Sequence, residues 1–178
     1  MKKCIMLLLT AFLTLSFCIP TKADINYDLL YNWSYQPANV QMDLVRKNTN
    51  IQVVDKLDWE SPDLYETYAY TTMKPIPGTM LASGIDIRIK KGYESSLTHE
   101  VGHCLSNYQQ HIYWWCNQPM FEQIWIAERS KCILLYQGLY DKREYFACAY
   151  DAYIRYPQIL KKTCPMTYNY ITVVLNYT

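Results

Sequence analysis

His99-Glu100-Val101-Gly102-His103 sets two imidazoles four residues apart with a carboxylate beside the first. On a helix, four residues turn through about 400°, so the two rings project from one face, about 40° apart and one turn removed. Such a pair can hold one divalent metal, and Glu100 stands close enough to take a proton from water on the same ion. Imidazole nitrogens with an open coordination position suit Zn²⁺, which lowers the pKa of bound water to about 7. The competing reading is a solvated polar helix face that spells the pattern by chance. Context argues against it, because a strand, a short turn and an amphipathic helix carry the motif in that order.

A third protein ligand must come from another segment. The extended form of the motif is absent, since Ser106 and Gln109 occupy the places of its Gly and His. His111 would project about two turns beyond His103 on a continued helix. The remaining candidates are the carboxylates of the following helices, Glu122, Glu128 and Glu144. Glu128 reads as a partner of the turn at Lys131 and Cys132, and Glu122 has no Asp four residues on. Glu144 shares a helix face with Ala147, Cys148 and Asp151. However, Asp141-x-x-Glu144 is also a capping box, in which Glu144 would bond its own helix start. Spacing alone leaves both roles of Glu144 open.

The elements that must position these groups follow from periodicity. Residues 24–50 carry apolar positions at loose helical spacing, which predicts one or two helices interrupted at Pro37. Residues 51–57 (IQVVDKL) and 64–72 (LYETYAYTT) read as strands, and 74–78 (KPIPG) as a stiff turn. Residues 84–90 (GIDIRIK) alternate Ile85, Ile87 and Ile89 with Asp86, Arg88 and Lys90, the pattern of a half-buried strand ended by Lys91-Gly92. Leu97, Val101, Cys104 and Tyr108 then form one helical stripe, capped by Ser95 or Ser96. Pro119 opens a helix to about Leu135, Gln137-Gly138 breaks it, and Asp141 caps another to about Arg155. Residues 166–177 are rich in β-branched and aromatic side chains, so propensity favours a strand there, although Pro165 is placed to open a helix. The expectation is an α+β fold: a small twisted β-sheet packed on the motif helix, followed by a helical C-terminal half.

Composition sets the class. A chain of 178 residues with 51% apolar side chains suits one domain with a substantial core, and a formal charge of +1 gives no reason to expect nucleic acid as a partner. Residues 1–23 read as a secretory signal: Lys2 and Lys3, an apolar run from Cys4 to Ile19, and Thr21-Lys22-Ala23 before the cut. That run is shorter than the ~20 residues a membrane span needs, so no stable anchor is expected once it is removed. Removal takes away Lys2, Lys3 and Lys22 and no acid, which moves the formal charge from +1 to −2. The expected product is a secreted, extracellular single domain over residues 24–178. Cys104, Cys116, Cys132, Cys148 and Cys164 remain; their odd number leaves one unpaired, no C-x-x-C spacing occurs among them, and sequence does not choose a pairing.

Three separated stretches, HEVGHCLSNY (99–108), LLYQGLYDKREYFACAY (134–150) and TCPMTYNYI (163–171), occur in an order that resembles the metallopeptidase family of the anthrax lethal factor catalytic domain, and within it the secreted clostridial Pro-Pro endopeptidases. The resemblance covers roughly residues 50–178. It implies a zinc endopeptidase with one Zn²⁺ per chain, held by His99, His103 and Glu144, with Glu100 as general base. It implies protein or peptide substrates, with proline-rich sites of extracellular or surface proteins preferred. A tyrosine seven residues before the zinc Glu is expected to stabilise the oxyanion; Gln137 stands there, Tyr136 lies one residue earlier, and Tyr140 is its rival. The resemblance therefore places Tyr136 in that role through a one-residue insertion. Two departures bear on function. Cys148 replaces a second acid expected one turn after the zinc Glu, and Met73 stands near the place of a tryptophan against which substrate proline packs. The alternatives are a zinc peptidase without proline preference and a secreted non-catalytic effector that retains a zinc site.

Overall fold

A computed structural model describes residues 26–58 and 68–178. The signal reading over residues 1–23 and the first part of the strand expected over 64–72 lie outside the described residues.

The chain opens with helices α1 (Tyr27–Ser34) and α2 (Ala38–Arg46), separated where Pro37 forms the N-cap of α2. Three strands follow: β1 (Thr49–Val54), β2 (Ala69–Pro75) and β3 (Ala82–Lys90). They pair in the order β1-β3-β2, with β1 parallel and β2 antiparallel to β3. A 3₁₀ turn (Glu94–Ser96) leads into α3 (Leu97–Leu105), which carries the motif. Then come α4 (Pro119–Glu128), a 3₁₀ segment (Ile133–Leu139), α5 (Lys142–Arg155), α6 (Pro157–Thr163) and α7 (Pro165–Leu175). The fold is the expected α+β arrangement, with the sheet on one side of α3 and α5 on the other.

Alternation decides the sheet. Ile85, Ile87 and Ile89 are fully buried against α3, while Asp86 and Arg88 face outward, where Asp86 pairs with Lys74 at 2.9 Å and Arg88 pairs with Asp58. In register with Ile85 and Ile87, Met73 and Thr71 of β2 share the inward face. Met73 packs on the core and its sulfur meets the Asn107 amide at 3.0 Å, so it is not a free platform on the surface.

Polar side chains from distant elements hold α3 at both ends. At its start, Arg155 donates to the Ser95 carbonyl (2.7 Å) and to Thr98 Oγ1 (3.1 Å), and Gln36 donates to Thr98 Oγ1 (3.1 Å). Tyr150 in turn donates to Gln36 Oε1 at 2.7 Å, closing a buried network behind the helix. At its end, Lys47 donates to the carbonyls of Cys104 (3.1 Å) and Asn107 (2.8 Å), the place where a cation complements the helix dipole. Ser96 makes no side-chain capping bond, so the expected serine cap is replaced by the 3₁₀ turn.

The first strand ends at Val54 and not Leu57, the second runs on to Pro75, and α3 ends at Leu105, short of Tyr108; two larger differences lie in the C-terminal half. The helix from Pro119 stops at Glu128, and residues up to Leu139 form a separate 3₁₀ segment. Residues 165–175 are helical instead of a strand. Their buried positions, Thr167, Tyr170, Ile171 and Val174, follow a helical period, and Pro165 fits the first turn. The decisive partner is Glu128, whose buried carboxylate accepts from the Met166 (3.2 Å) and Thr167 (2.9 Å) amides and from Thr167 Oγ1 (2.8 Å). It caps α7 from outside, satisfying free N–H groups that no local side chain reaches. The Glu128 carboxylate therefore serves the last helix, while its backbone carbonyl accepts from the Lys131 amide at 2.9 Å in the turn.

All five described cysteines are buried thiols with no disulfide between them. Burial pushes the Cys116 thiol up to about 11, so it carries no thiolate at neutral pH. Among the described residues no helix is long and apolar enough to cross a membrane.

Glu128→Ala is expected to lower unfolding free energy by about 2–3 kcal/mol, since it strips the α7 donors of their acceptor, with Glu128→Gln costing less; urea denaturation measures both.

Candidate metal centre

Helix α3 projects His99 and His103 from one face, with ring centroids 4.9 Å apart and planes 82° to one another. Helix α5 brings Glu144 across from them. Its Oε2 lies 3.3 Å from His99 Nε2 and its Oε1 lies 3.4 Å from His103 Nε2. One potential ligand atom from each residue falls within 4.8 Å of the others. In a tetrahedral zinc site with bonds near 2.0–2.1 Å, ligand atoms stand about 3.3–3.4 Å apart; here each imidazole meets a different carboxylate oxygen at that distance. The imidazoles are mostly covered and the Glu144 side chain is 40% exposed, which leaves the cluster open to solvent on the carboxylate side.

The approach of α5 depends on small residues. A Cβ on Gly102 would stand 2.7 Å from the Ala147 Cα, so α3 and α5 meet backbone to backbone at this point. Gly138 does the same for the 3₁₀ segment, where a Cβ would stand 2.1 Å from the Tyr145 Cα. Asp141 caps α5 by accepting from the Arg143 amide at 2.7 Å. The Glu144 carboxylate points to the imidazoles, and no bond from it to the start of its own helix forms among the described residues. Of the two roles that spacing left open, the geometry presents the carboxylate to the cluster.

Electrostatics mark the same place. Burial works to raise the Glu144 carboxyl, but His103 and His99 outweigh it and hold it far below the usual carboxylate range. Burial works to lower His99, but its contacts with Cys148 and Glu144 dominate and hold it well above the usual imidazole value. A carboxylate and imidazoles that attract one another this strongly form a site that a divalent cation can take over.

The surrounding residues sort as follows. Glu100 is buried beside the cluster, and its Oε2 accepts from Thr71 Oγ1 at 2.6 Å. Cys148, one turn after Glu144, places its sulfur 3.8 Å from His99 Nδ1 and donates to Gln137 Oε1 at 3.5 Å. It thus faces the imidazole edge opposite the cluster, the position from which a partner orients a metal-binding ring. In the 3₁₀ segment Gln137 is the side chain that reaches this wall. Tyr136 is 63% exposed and Tyr140 87% exposed, and neither bonds to the cluster. Glu122 lies 3.6 Å from Lys142 and Glu128 caps α7, so neither joins the cluster. His111 is outside it too, on the surface against Trp114, with ring centroids 5.4 Å apart. Trp115 packs into the core, where Tyr170 donates to its carbonyl. Thr71 escaped the sequence reading, although the alternation of β2 puts it on the face that meets α3.

Fold and site together define an α+β domain in which His99, His103 and Glu144 form a cluster that could hold a metal ion on an H-E-x-x-H helix. The family model for the anthrax toxin lethal factor, N- and C-terminal domain, matches residues 15–174, and the chain belongs to that family. A comparison with curated proteins finds no match.

Glu144→Ala is expected to lose most of its bound metal on dialysis while Glu122→Ala retains it, as read by elemental analysis. Gly102→Ala, by forcing α5 outward, is expected to weaken metal retention even though no ligand is removed.

Proposed function

We propose that the chain is a secreted zinc endopeptidase. The observation that carries this reading is the convergence of His99 Nε2, His103 Nε2 and a Glu144 oxygen, with Glu100 buried alongside. Family membership supports it, since the lethal factor resemblance implies zinc peptidases. His99, His103 and Glu144 would hold Zn²⁺, which supplies Lewis acidity toward the scissile carbonyl and an acidified water. Glu100 accepts the proton of the attacking water and returns it to the leaving amine. Cys148 keeps His99 oriented with Nε2 toward the ion. The oxyanion is met from the 3₁₀ segment, where the resemblance implies Tyr136.

The substrate class is protein or peptide outside the cell, with proline-rich segments preferred on the strength of the Pro-Pro endopeptidase resemblance alone. Met73, packed inward on β2, supplies no exposed ring for a proline, which favours a broader preference. Residues 1–23 serve as a cleaved signal in this reading, and residues 24–178 as one extracellular domain without a membrane anchor. N-terminal sequencing of the exported protein should begin near Asp24.

Incubating the zinc-loaded chain with proline-containing and proline-free quenched peptide libraries should give cleavage that a chelator abolishes. Glu100→Ala should keep its zinc and lose activity by roughly 10²–10⁴-fold. A chain that keeps one zinc and cleaves neither library is a non-catalytic effector, the reading that Cys148 and the outward Tyr136 would then support. Tyr136→Phe should lower kcat by roughly 10²–10³-fold with little change in KM, and Tyr140→Phe should be nearly silent.

A further inference from the structure

We propose that Thr71 is a positioning residue that aims the Glu100 carboxylate. The inference rests on the peptidase reading for its chemistry and on the hydrogen bond alone for the contact. Thr71 lies in β2 opposite Ile87 of β3, on the face that packs toward α3. Its Oγ1 stands 2.6 Å from Glu100 Oε2 and 3.3 Å from the Glu100 carbonyl oxygen. A hydroxyl has one proton, and the short bond has the length of a charge-assisted O–H···O⁻ contact, so the carboxylate takes it.

That bond divides the work of the two carboxylate oxygens. Oε2 is occupied as an acceptor, while Oε1 meets no protein donor among the described residues and is left to receive a proton. The terminal torsion of a Glu side chain is broad, so a carboxylate held only by its stem samples many planes. The Thr71 hydroxyl fixes that plane before any water arrives, the preorganisation a general base needs. Thr71 is itself held: β2 pairs with β3 along its length, and Asn107, just past α3, meets Met73 two residues on at 3.0 Å. The base thus sits on one element and its orienting donor on another, tied together at two points.

The rival explanation is that the hydroxyl merely satisfies a buried carboxylate; an unfolding cycle tests the contact, and kcat separates the two roles. In urea unfolding of the metal-free protein, Thr71→Val should lower the midpoint in the parent and leave it unchanged in a Glu100→Ala background. Equal shifts in both backgrounds would show that the two side chains are uncoupled and overturn the proposal. In steady-state cleavage of a quenched peptide from the library, Thr71→Val should lower kcat roughly tenfold to 10²-fold with KM and zinc content unchanged. Thr71→Ser, which keeps the hydroxyl, should restore most of the rate. A coupled pair with an unchanged kcat assigns the hydroxyl to folding alone and sinks the positioning role. Absence of cleavage by the parent overturns the peptidase reading and the catalytic consequence with it, while the unfolding cycle still decides the contact.

Discussion

The close approach of α3 and α5 at Gly102 and Ala147 is the constraint on which the rest of the site depends. Two imidazoles on one helix face are common; a carboxylate between them from a second helix requires that helix to come within backbone contact. Any side chain at position 102 would occupy the space that lets Glu144 face both rings. The same helix carries Cys148 to the outer edge of His99, so a single packing event places both the Glu144 carboxylate and the thiol that meets His99 Nδ1. The surrounding core follows from this contact. Phe121 packs against Phe146 and Tyr145 of α5 and against Tyr170 of α7, which presses α5 onto α3 from behind.

Among the described residues, several buried ionic groups are answered by partners from other elements. Glu128 answers the N–H groups of α7, Lys47 answers the carbonyls at the end of α3, and Arg155 spans Asp151 and the start of α3. A helix bearing two histidines and a buried glutamate would be costly to hold on packing alone. Its ends are fixed by Gln36 from the α1–α2 connection, Lys47 just past α2 and Arg155 of α5, which leaves its middle turns free to present polar groups inward.

Local pattern made some of this legible and long-range contact hid the rest. The strand at Ile85, Ile87 and Ile89 and the motif on α3 are visible because each repeats with its own period over a few residues. The break at Pro37 and the cap at Asp141 are equally local. The last helix was hidden, because Tyr168, Tyr170, Ile171, Thr172, Val173 and Val174 carry strand propensity, while its cap lies 39 residues away from Thr167 in Glu128. Glu144 was visible as a carboxylate of the right helix, and only the packing of α5 chose between cap and cluster. Gln137 and Cys148 gave no signal as a pair, since their contact crosses a helix start. Thr71 had a periodicity to place it and nothing to name its partner.

The chain closes on itself, and this has a consequence in time. Asn39, near the beginning of the described residues, donates to the Leu175 carbonyl and to Thr178 Oγ1, both at 2.8 Å, at its very end. Arg155 to Asn32 and Tyr150 to Gln36 span 123 and 114 residues behind the motif helix. Contacts between residues so far apart form late, because closing long loops costs entropy before any bond repays it. The contacts that join the two ends of the described chain are therefore expected among the last to form. The motif alone is not the cluster: His99 and His103 meet Glu144 only once α5 lies against α3.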